Sequence, residues 1–345
     1  MFEQFQNLAT SGNWVWLTFL LSAVLIVLSA MQLAKYGDVI AARTKLGGMF
    51  VGVLLLAGAT SLPELLTAIN SIQQNSPELA AGNFFGSSAF NMFILAILDV
   101  LSRDKRILRS AAFQHAVSGG FAVFMCTLVL VFVAADPIIS RVPFQIGWVG
   151  IDSLIIMAFY IFAIYMLNKT EKDDVSVEMT EEELSEIPSL RTGLIGFGLA
   201  ACVLILVSPF MVKSSETTAE ITGLGTSFVG STLVALVTSL PEMVTSISAI
   251  KIGAADMAIG NLFGSNMFNM FGIGIADLFY TQGRFISTID NSFIVIGMIG
   301  VMMTAFGLIG NMVKFKRLKF IEVDSVIMTI MYFASMFLLF VQSQM

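Results

Sequence analysis

The chain is built from apolar runs near twenty residues long, separated by short polar breaks. At a rise of about 1.5 Å per residue, roughly twenty apolar residues match the ~30 Å hydrocarbon core of a bilayer. Ten such stretches can be placed, at about 14–35, 46–73, 78–101, 111–135, 146–168, 192–212, 223–250, 255–279, 290–313 and 322–342. They show no sustained period-two alternation, and lipid offers no partner to unpaired backbone, so helices are the expected form. The fold class expected is an all-α polytopic membrane protein with ten transmembrane helices. Charged residues make up 12% of the chain, about half the roughly 25% of a soluble domain, which excludes an ordinary soluble enzyme and a disordered chain. A formal charge of −6 with 18 basic residues gives no case for nucleic-acid binding. Cys126 and Cys202 both lie inside apolar runs and His115 is the one histidine, so neither a disulfide framework nor zinc chemistry is expected. The first run follows Glu3 and no basic residue and is too long for a signal peptide, so it reads as a retained helix.

Basic residues set the expected orientation. The connections on the side of the termini carry only Arg141, Lys213 and Arg284, and the other 15 of the 18 lie on the opposite side. The positive-inside rule then places both termini outside and the basic loops in the cytoplasm of a cell inner-membrane protein. The longest connection, 169–190, is rich in Asp and Glu, including the run Glu181–Glu183. It reads as a solvated linker between halves, with a cation-sensing role as the alternative.

An internal repeat divides the chain. Residues 60–64 and 238–242 both read TSLPE, and GNFFGSSAFNMF at 82–93 is matched by GNLFGSNMFNMF at 260–271, at a constant offset of 178. The same offset relates Asp99 to Asp277, and a shift of 172 relates Asp152-Ser153 to Asp324-Ser325. Each half holds five spans, an odd number, so the second half enters the membrane inverted. The expected domains are a five-helix repeat over 1–168, the acidic cytoplasmic linker 169–190, and a second five-helix repeat over 191–345. Inverted repeats are characteristic of secondary transporters, which bind their cargo near the midplane where the halves meet.

The repeated blocks carry the chemistry. Ala57, Thr60, Ser61 and Glu64 share one helix face, and Pro63 lacks an N–H and conflicts with the carbonyl of Ala59, so the helix is expected to break there. Ala235, Thr238, Ser239, Pro241 and Glu242 repeat the arrangement. Asn83, Ser87 and Asn91 form one stripe, Asn261, Ser265 and Asn269 another, and Gly82, Gly86, Gly260 and Gly264 allow close helix approach. This inventory is almost all oxygen, which suits a hard cation such as Ca²⁺. Glu64 and Glu242 together neutralise one divalent ion, and a membrane-depth carboxylate is a functional candidate. Asn83 and Asn261 could equally serve as helix–helix bonds. Asp99 and Asp277, near span ends, read as solvated helix termini, and Asp152 and Asp324, at helix starts, as dipole-matched caps.

TSLPE followed by GN-x-F-GS-x-x-FN, twice, in a ten-span chain resembles the Ca²⁺/cation antiporter superfamily, especially prokaryotic sodium/calcium exchangers. The resemblance implies an inverted five-plus-five fold with ion sites between the second, third, seventh and eighth helices. It implies that the family's acids fall on Glu64 and Glu242 and that Thr60 and Thr238 supply backbone carbonyls. Ser61, Ser87, Asn91, Ser239, Ser265 and Asn269 fall on positions that complete the coupling-ion sites, and Ala57 and Ala235 on positions that offer carbonyls to sodium. Two departures stand out. Asn269 occupies a position where some sodium/calcium exchangers have Asp, and Ser88 stands where Asn is usual. The expected function is exchange of Ca²⁺ for Na⁺ or H⁺ by alternating access, with spans one and six as candidate sliding elements. The expected partners are inorganic cations and the lipid bilayer, with no obligate protein partner evident. Two rivals are a passive cation channel and an intramembrane aspartyl protease using Asp99 and Asp277.

Overall fold

The structure, a computed structural model, describes residues 6, 10–12, 14–44, 56–101, 114–142, 144–171, 187–251, 254–312, 317–318 and 321–344. Most of the linker therefore lies outside the described residues, as does the start of the second expected span, residues 46–55. The helices are α1 (Trp14–Thr44), α2 (Leu62–Gln73), α3 (Pro77–Leu101), α4 (Gln114–Ile139), α5 (Ile151–Glu171), α6 (Leu190–Thr222), α7 (Thr226–Val229), α8 (Ala235–Thr238), α9 (Leu240–Lys251), α10 (Ala255–Phe279), α11 (Ser292–Met312) and α12 (Val323–Ser343). A π-helical turn, Gly230–Val234, joins α7 to α8. Two antiparallel two-residue ladders, Gln145–Ile146 with Val149–Gly150 and Arg317–Leu318 with Ile321–Glu322, sit just before α5 and α12.

The fold is a mostly helical polytopic membrane fold. Among the described residues seven helices are long and apolar enough to cross a membrane, and the pair Thr226–Thr238 and Leu240–Lys251, bent by 40°, makes an eighth. α10, at 25 residues, has spanning length but carries the polar stripe of the second repeat. α1 and α6 run well past their expected ends at 35 and 212, because a helix satisfies its own backbone and so continues beyond the first charged residues into the headgroup zone. Gly223, at φ +70°, ends α6 in the left-handed conformation that favours glycine.

Burial is uneven among the spanning helices and is highest in α3. In α3, 89% of the apolar window is inside the protein, against 28% in α1 and α6. One apolar core packs α2, α3, α4, α5, α10 and α11 around Phe84, Phe85, Met125, Ile156, Met267 and Phe293. A second joins α3 to α9, α10, α11 and α12 through Leu95, Phe263, Met303 and Tyr332. α1 and α6 pack chiefly on each other, and a third core built on Ile26, Leu33, Leu204 and Val212 also takes in Leu79 of α3 and Val229, Val234 and Val237 of the segment α7–α8. Glycine permits the closest approaches. A Cβ on Gly86 of α3 would meet the Ser231 backbone at 2.4 Å, and one on Gly264 of α10 would meet Ala57 at 2.8 Å.

Candidate ion-binding site

Both TSLPE segments interrupt their helices at the same place. Residues 56–60 are helical, Ser61 breaks the run with φ −88° and ψ 4°, and α2 restarts with Pro63 in its first turn. Ser239 repeats the break at φ −92° and ψ 2°, between α8 and α9. Proline at the second position of a new helix gives up an N–H that had no partner anyway, so the sequence starts a helix rather than bending one. Each carboxylate then falls in the first turn of the restarted helix, where the dipole favours negative charge. The carbonyls of Ala57 and Ala235 each accept two donors. Ala57 takes Ser61 N at 2.9 Å and Thr60 Oγ1 at 3.2 Å, and Ala235 takes Ser239 N at 3.0 Å and Thr238 Oγ1 at 3.3 Å.

The glutamates are exchanged between the halves. Ser61 Oγ donates to Glu242 Oε1 at 3.0 Å, and Ser239 Oγ donates to Glu64 Oε1 at 3.0 Å. The offset of 178 converts one of these bonds into the other. It also relates Thr60 Oγ1 on Asn261 Oδ1 at 3.5 Å to Thr238 Oγ1 on Asn83 Oδ1 at 3.0 Å. A third pair is Asn91 Nδ2 on Asn266 Oδ1 at 3.0 Å and Asn269 Nδ2 on Ser88 Oγ at 3.4 Å. Ser265 Oγ adds a donor to Glu242 at 3.4 Å, and Ser87 Oγ lies 3.4 Å from Thr238 Oγ1. All twelve sequence candidates are buried: Ala57, Thr60, Ser61, Glu64, Ser87, Asn91, Ala235, Thr238, Ser239, Glu242, Ser265 and Asn269.

Four oxygens of this cluster are buried with no hydrogen-bond partner: Glu64 Oε2, Glu242 Oε2, Asn91 Oδ1 and Asn269 Oδ1. Each is an acceptor, and burying an unpaired acceptor costs about 1–3 kcal/mol. A surplus of unpaired carboxylate and amide oxygens in one cluster is the polarity a cation requires. Among the described residues there is no cluster of three or more His, Cys, Asp or Glu groups suited to a metal ion, so any cation here would rely on two carboxylates and neutral oxygens. The stripe asparagines Asn83 and Asn261 are committed to helix–helix bonds. The Asn83 amide also donates to the Glu64 carbonyl at 3.0 Å, and that of Asn261 to Thr245 Oγ1 at 3.1 Å and Ser246 Oγ at 3.3 Å.

The outer carboxylates depart from expectation. Asp99 and Asp277 are buried, 7% and 0% exposed, rather than solvated. Ser325 Oγ donates to Asp99 at 2.7 Å, while Gly150 N at 2.6 Å and Phe285 N donate to Asp277. The start of α12 covers Asp99, and the segments around Gly150 and Phe285 cover Asp277, so hydroxyl and backbone donors replace water. Asp152 and Asp324 accept from the N–H of the next serine in the first turns of α5 and α12, as caps of that end. Asp152 is also paired with Arg284, whose other arm reaches Asp136 at 2.9 Å. Arg284 is only 6% exposed. Sequence reading took it for a loop cation, and nothing in the local pattern marks it otherwise. The sequence names Ser88 as a departure from the family pattern, but Asn266, Thr245 and Ser246 are site neighbours that it does not single out. Asn266 lies inside the repeated block, where its equivalence to Ser88 is the signal that could have found it.

Comparison with known proteins supplies the family. The family described as "Sodium/calcium exchanger protein" matches residues 14–168 and 192–341. The inner membrane protein YrbG of Escherichia coli (strain K12) is 24% identical over 250 residues, 72% of this chain and 74% of that protein. The sodium/calcium exchanger MaX1 of Methanosarcina acetivorans is 26% identical over 297 residues, covering 76% and 83% respectively. Among solved structures, an H⁺/Ca²⁺ exchanger CAX superposes with a TM-score of 0.65 at 12% identity, covering 99% of this chain and 93% of that one. The sodium-calcium exchanger NCX_Mj, soaked with Na⁺ and Sr²⁺, gives 0.59 at 21% identity, covering 93% and 97%. Matched in both halves by one family description, the chain belongs to the sodium/calcium exchanger family of the Ca²⁺/cation antiporter superfamily.

Proposed function

We propose that the chain is a secondary active antiporter that exchanges Ca²⁺ for Na⁺ or H⁺ across a cell membrane, by alternating access at a midplane site. The observation that carries this reading is the crossed pair of bonds, Ser61 to Glu242 and Ser239 to Glu64. They seat two buried carboxylates in one cluster, with a free oxygen on each. In this reading Ca²⁺ bridges Glu64 and Glu242. Asn91, Asn269, the serines and the backbone oxygens of Thr60, Thr238, Ala57 and Ala235 complete the shell for Ca²⁺ or for the coupling ion. The chain is read as ten helices in two inverted five-helix repeats, 1–168 and 191–345, about the acidic linker 169–190, with both termini outside. α10 and the broken span ending in α2 complete the count.

Coupling follows from electrostatics. Two like charges held at roughly 4 Å repel by about 4 kcal/mol at an effective dielectric of 20. Two carboxylates without cations in this cluster are therefore unfavourable, whereas Ca²⁺, two Na⁺ or two protons cancel the charge. The carrier crosses when loaded and rarely when empty, which ties the two fluxes together. The α1–α6 pair, whose spans carry no comparable polar block, is the candidate moving part: its two helices pack chiefly on each other and meet α2, α3 and α8 through an apolar face at Leu62, Leu66, Leu79 and Val237.

The test is ⁴⁵Ca uptake into proteoliposomes under an imposed Na⁺ gradient and, separately, an H⁺ gradient. Uptake driven by either one supports antiport and names the coupling ion, and uptake driven by neither refutes it. The H⁺-coupled form is kept as the second reading because the site offers Asn at both 91 and 269 and thus only two carboxylates for Na⁺ to neutralise.

A further inference from the structure

Beside the carboxylates, α3 and α10 cross at a cluster of four polar side chains in which the two repeats are unequal. Asn91 and Asn269 are equivalent under the offset, and so are Ser88 and Asn266. All four are buried, at 1%, 0%, 5% and 1% exposed. Asn91 gives its amide N–H to Asn266 Oδ1 at 3.0 Å, whereas Asn269 reaches only a hydroxyl, Ser88 Oγ, at 3.4 Å. The remaining oxygen of each of Asn91 and Asn269 has no partner, nor does the Asn266 nitrogen.

We propose that Asn266 is a positioning residue that holds the Asn91 amide with its oxygen free for the cation, and that Ser88 is a weaker counterpart on Asn269, so the two amides are unequal ligands. The inference rests on the Ca²⁺ reading of the site. An asparagine side chain has a donor end and an acceptor end, and fixing one fixes the other. Turning Asn91 around would aim its NH₂ at the cation and face its oxygen to the oxygen of Asn266. Relief would need both buried amides to turn together. Turning Asn269 needs far less, because a hydroxyl rotates and can donate as readily as accept. Asn266 itself keeps a buried unpaired nitrogen, a cost that a serine at this position would avoid. A purely structural tie between α3 and α10 is available without that cost, as Ser88 shows. What asparagine adds is an acceptor that does not rotate freely.

The test is the Ca²⁺ concentration dependence of uptake into proteoliposomes holding the full chain, Asn266→Ser, Ser88→Asn, the swap S88N/N266S, and Glu64→Gln. Asn266→Ser is expected to raise the KM for Ca²⁺ about fivefold to tenfold, with maximal rate changed by no more than about twofold, the size of one oriented hydrogen bond to a ligand. Ser88→Asn is expected to lower the KM about twofold or more, and this variant carries the test if Asn266→Ser does not fold. The swap moves the firm anchor to the other repeat, and its KM is expected within about twofold of the parent. Unchanged KM in both single variants, with Glu64→Gln inactive, overturns this inference and leaves the site reading intact. A swap as impaired as Asn266→Ser makes Asn266 structural and also overturns it. Full transport by Glu64→Gln overturns both.

Discussion

At the residue scale, Glu64 and Glu242 carry the reading. Each has one oxygen held by a serine of the opposite repeat and one without a partner. Glu64→Gln and Glu242→Gln keep the volume and remove the charge, so each is expected to reduce Ca²⁺ exchange in proteoliposomes to background. Wild-type exchange in both would remove them from the site. Ser61→Ala and Ser239→Ala take one donor from a carboxylate without touching its charge. Each is expected to weaken apparent Ca²⁺ affinity roughly tenfold, from the ~1.5 kcal/mol of a hydrogen bond to a charged group, with exchange retained at saturating Ca²⁺. Equal effects of the two serines would reflect their equivalence, since 61 and 239 are the same position in the two repeats.

At the element scale, two packing arrangements make separate predictions. A Cβ on Gly196 of α6 would lie 2.4 Å from the Tyr36 ring of α1. Gly196→Val is expected to destabilise the α1–α6 pair by about 1–3 kcal/mol through overpacking, read as a lower Tm in detergent. Adding Tyr36→Ala should restore much of it, and no recovery would show that the contact is not the cause. The second arrangement is the Arg284 bridge from the segment after α10 to the end of α4 and the start of α5. Arg284→Ala leaves Asp152 buried without its cation, expected to cost about 3–5 kcal/mol. Arg284→Ala with Asp152→Asn is expected to regain part of the lost Tm, because the unpaired charge is then gone. The bond pattern around Pro209 ties α6 to the α2–α3 turn in a comparable way: Asn70 Nδ2 on Ser208 Oγ at 2.8 Å, Gln74 Nε2 on the Pro209 carbonyl at 3.2 Å, and Ser76 on Glu216.

At the scale of the whole molecule, an exchanger and a channel differ in what an empty site allows. Two carboxylates on repeated segments of the chain favour a carrier that moves only when its charge is cancelled. The expected outcome is ⁴⁵Ca counterflow that saturates with external Ca²⁺ and requires a countercation inside the vesicle. Ohmic Ca²⁺ current in planar bilayers, without counterflow, would favour the channel. The protease alternative is disfavoured by geometry. Asp99 is engaged by α12 and Asp277 by the segments around Gly150 and Phe285, so each has its own separate set of donors.

The sequence by itself determined that the chain is helical and membrane-spanning, because lipid admits only helices or closed barrels, the runs lack the period-two alternation of barrel strands, and apolar length records the bilayer thickness. It also determined the twofold character of the site, because a gapless repeat of TSLPE and GN-x-F-GS-x-x-FN leaves few other readings, and it marked the break that Pro63 and Pro241 impose. It did not say which serine meets which glutamate, that α1 and α6 stand apart from the main core, or that Asp99, Asp277 and Arg284 are buried. These depend on contacts between residues far apart in the chain, some of them more than a hundred positions distant. Hydropathy and spacing report how one segment meets its solvent. Only the packed structure sets which polar groups exclude water from one another.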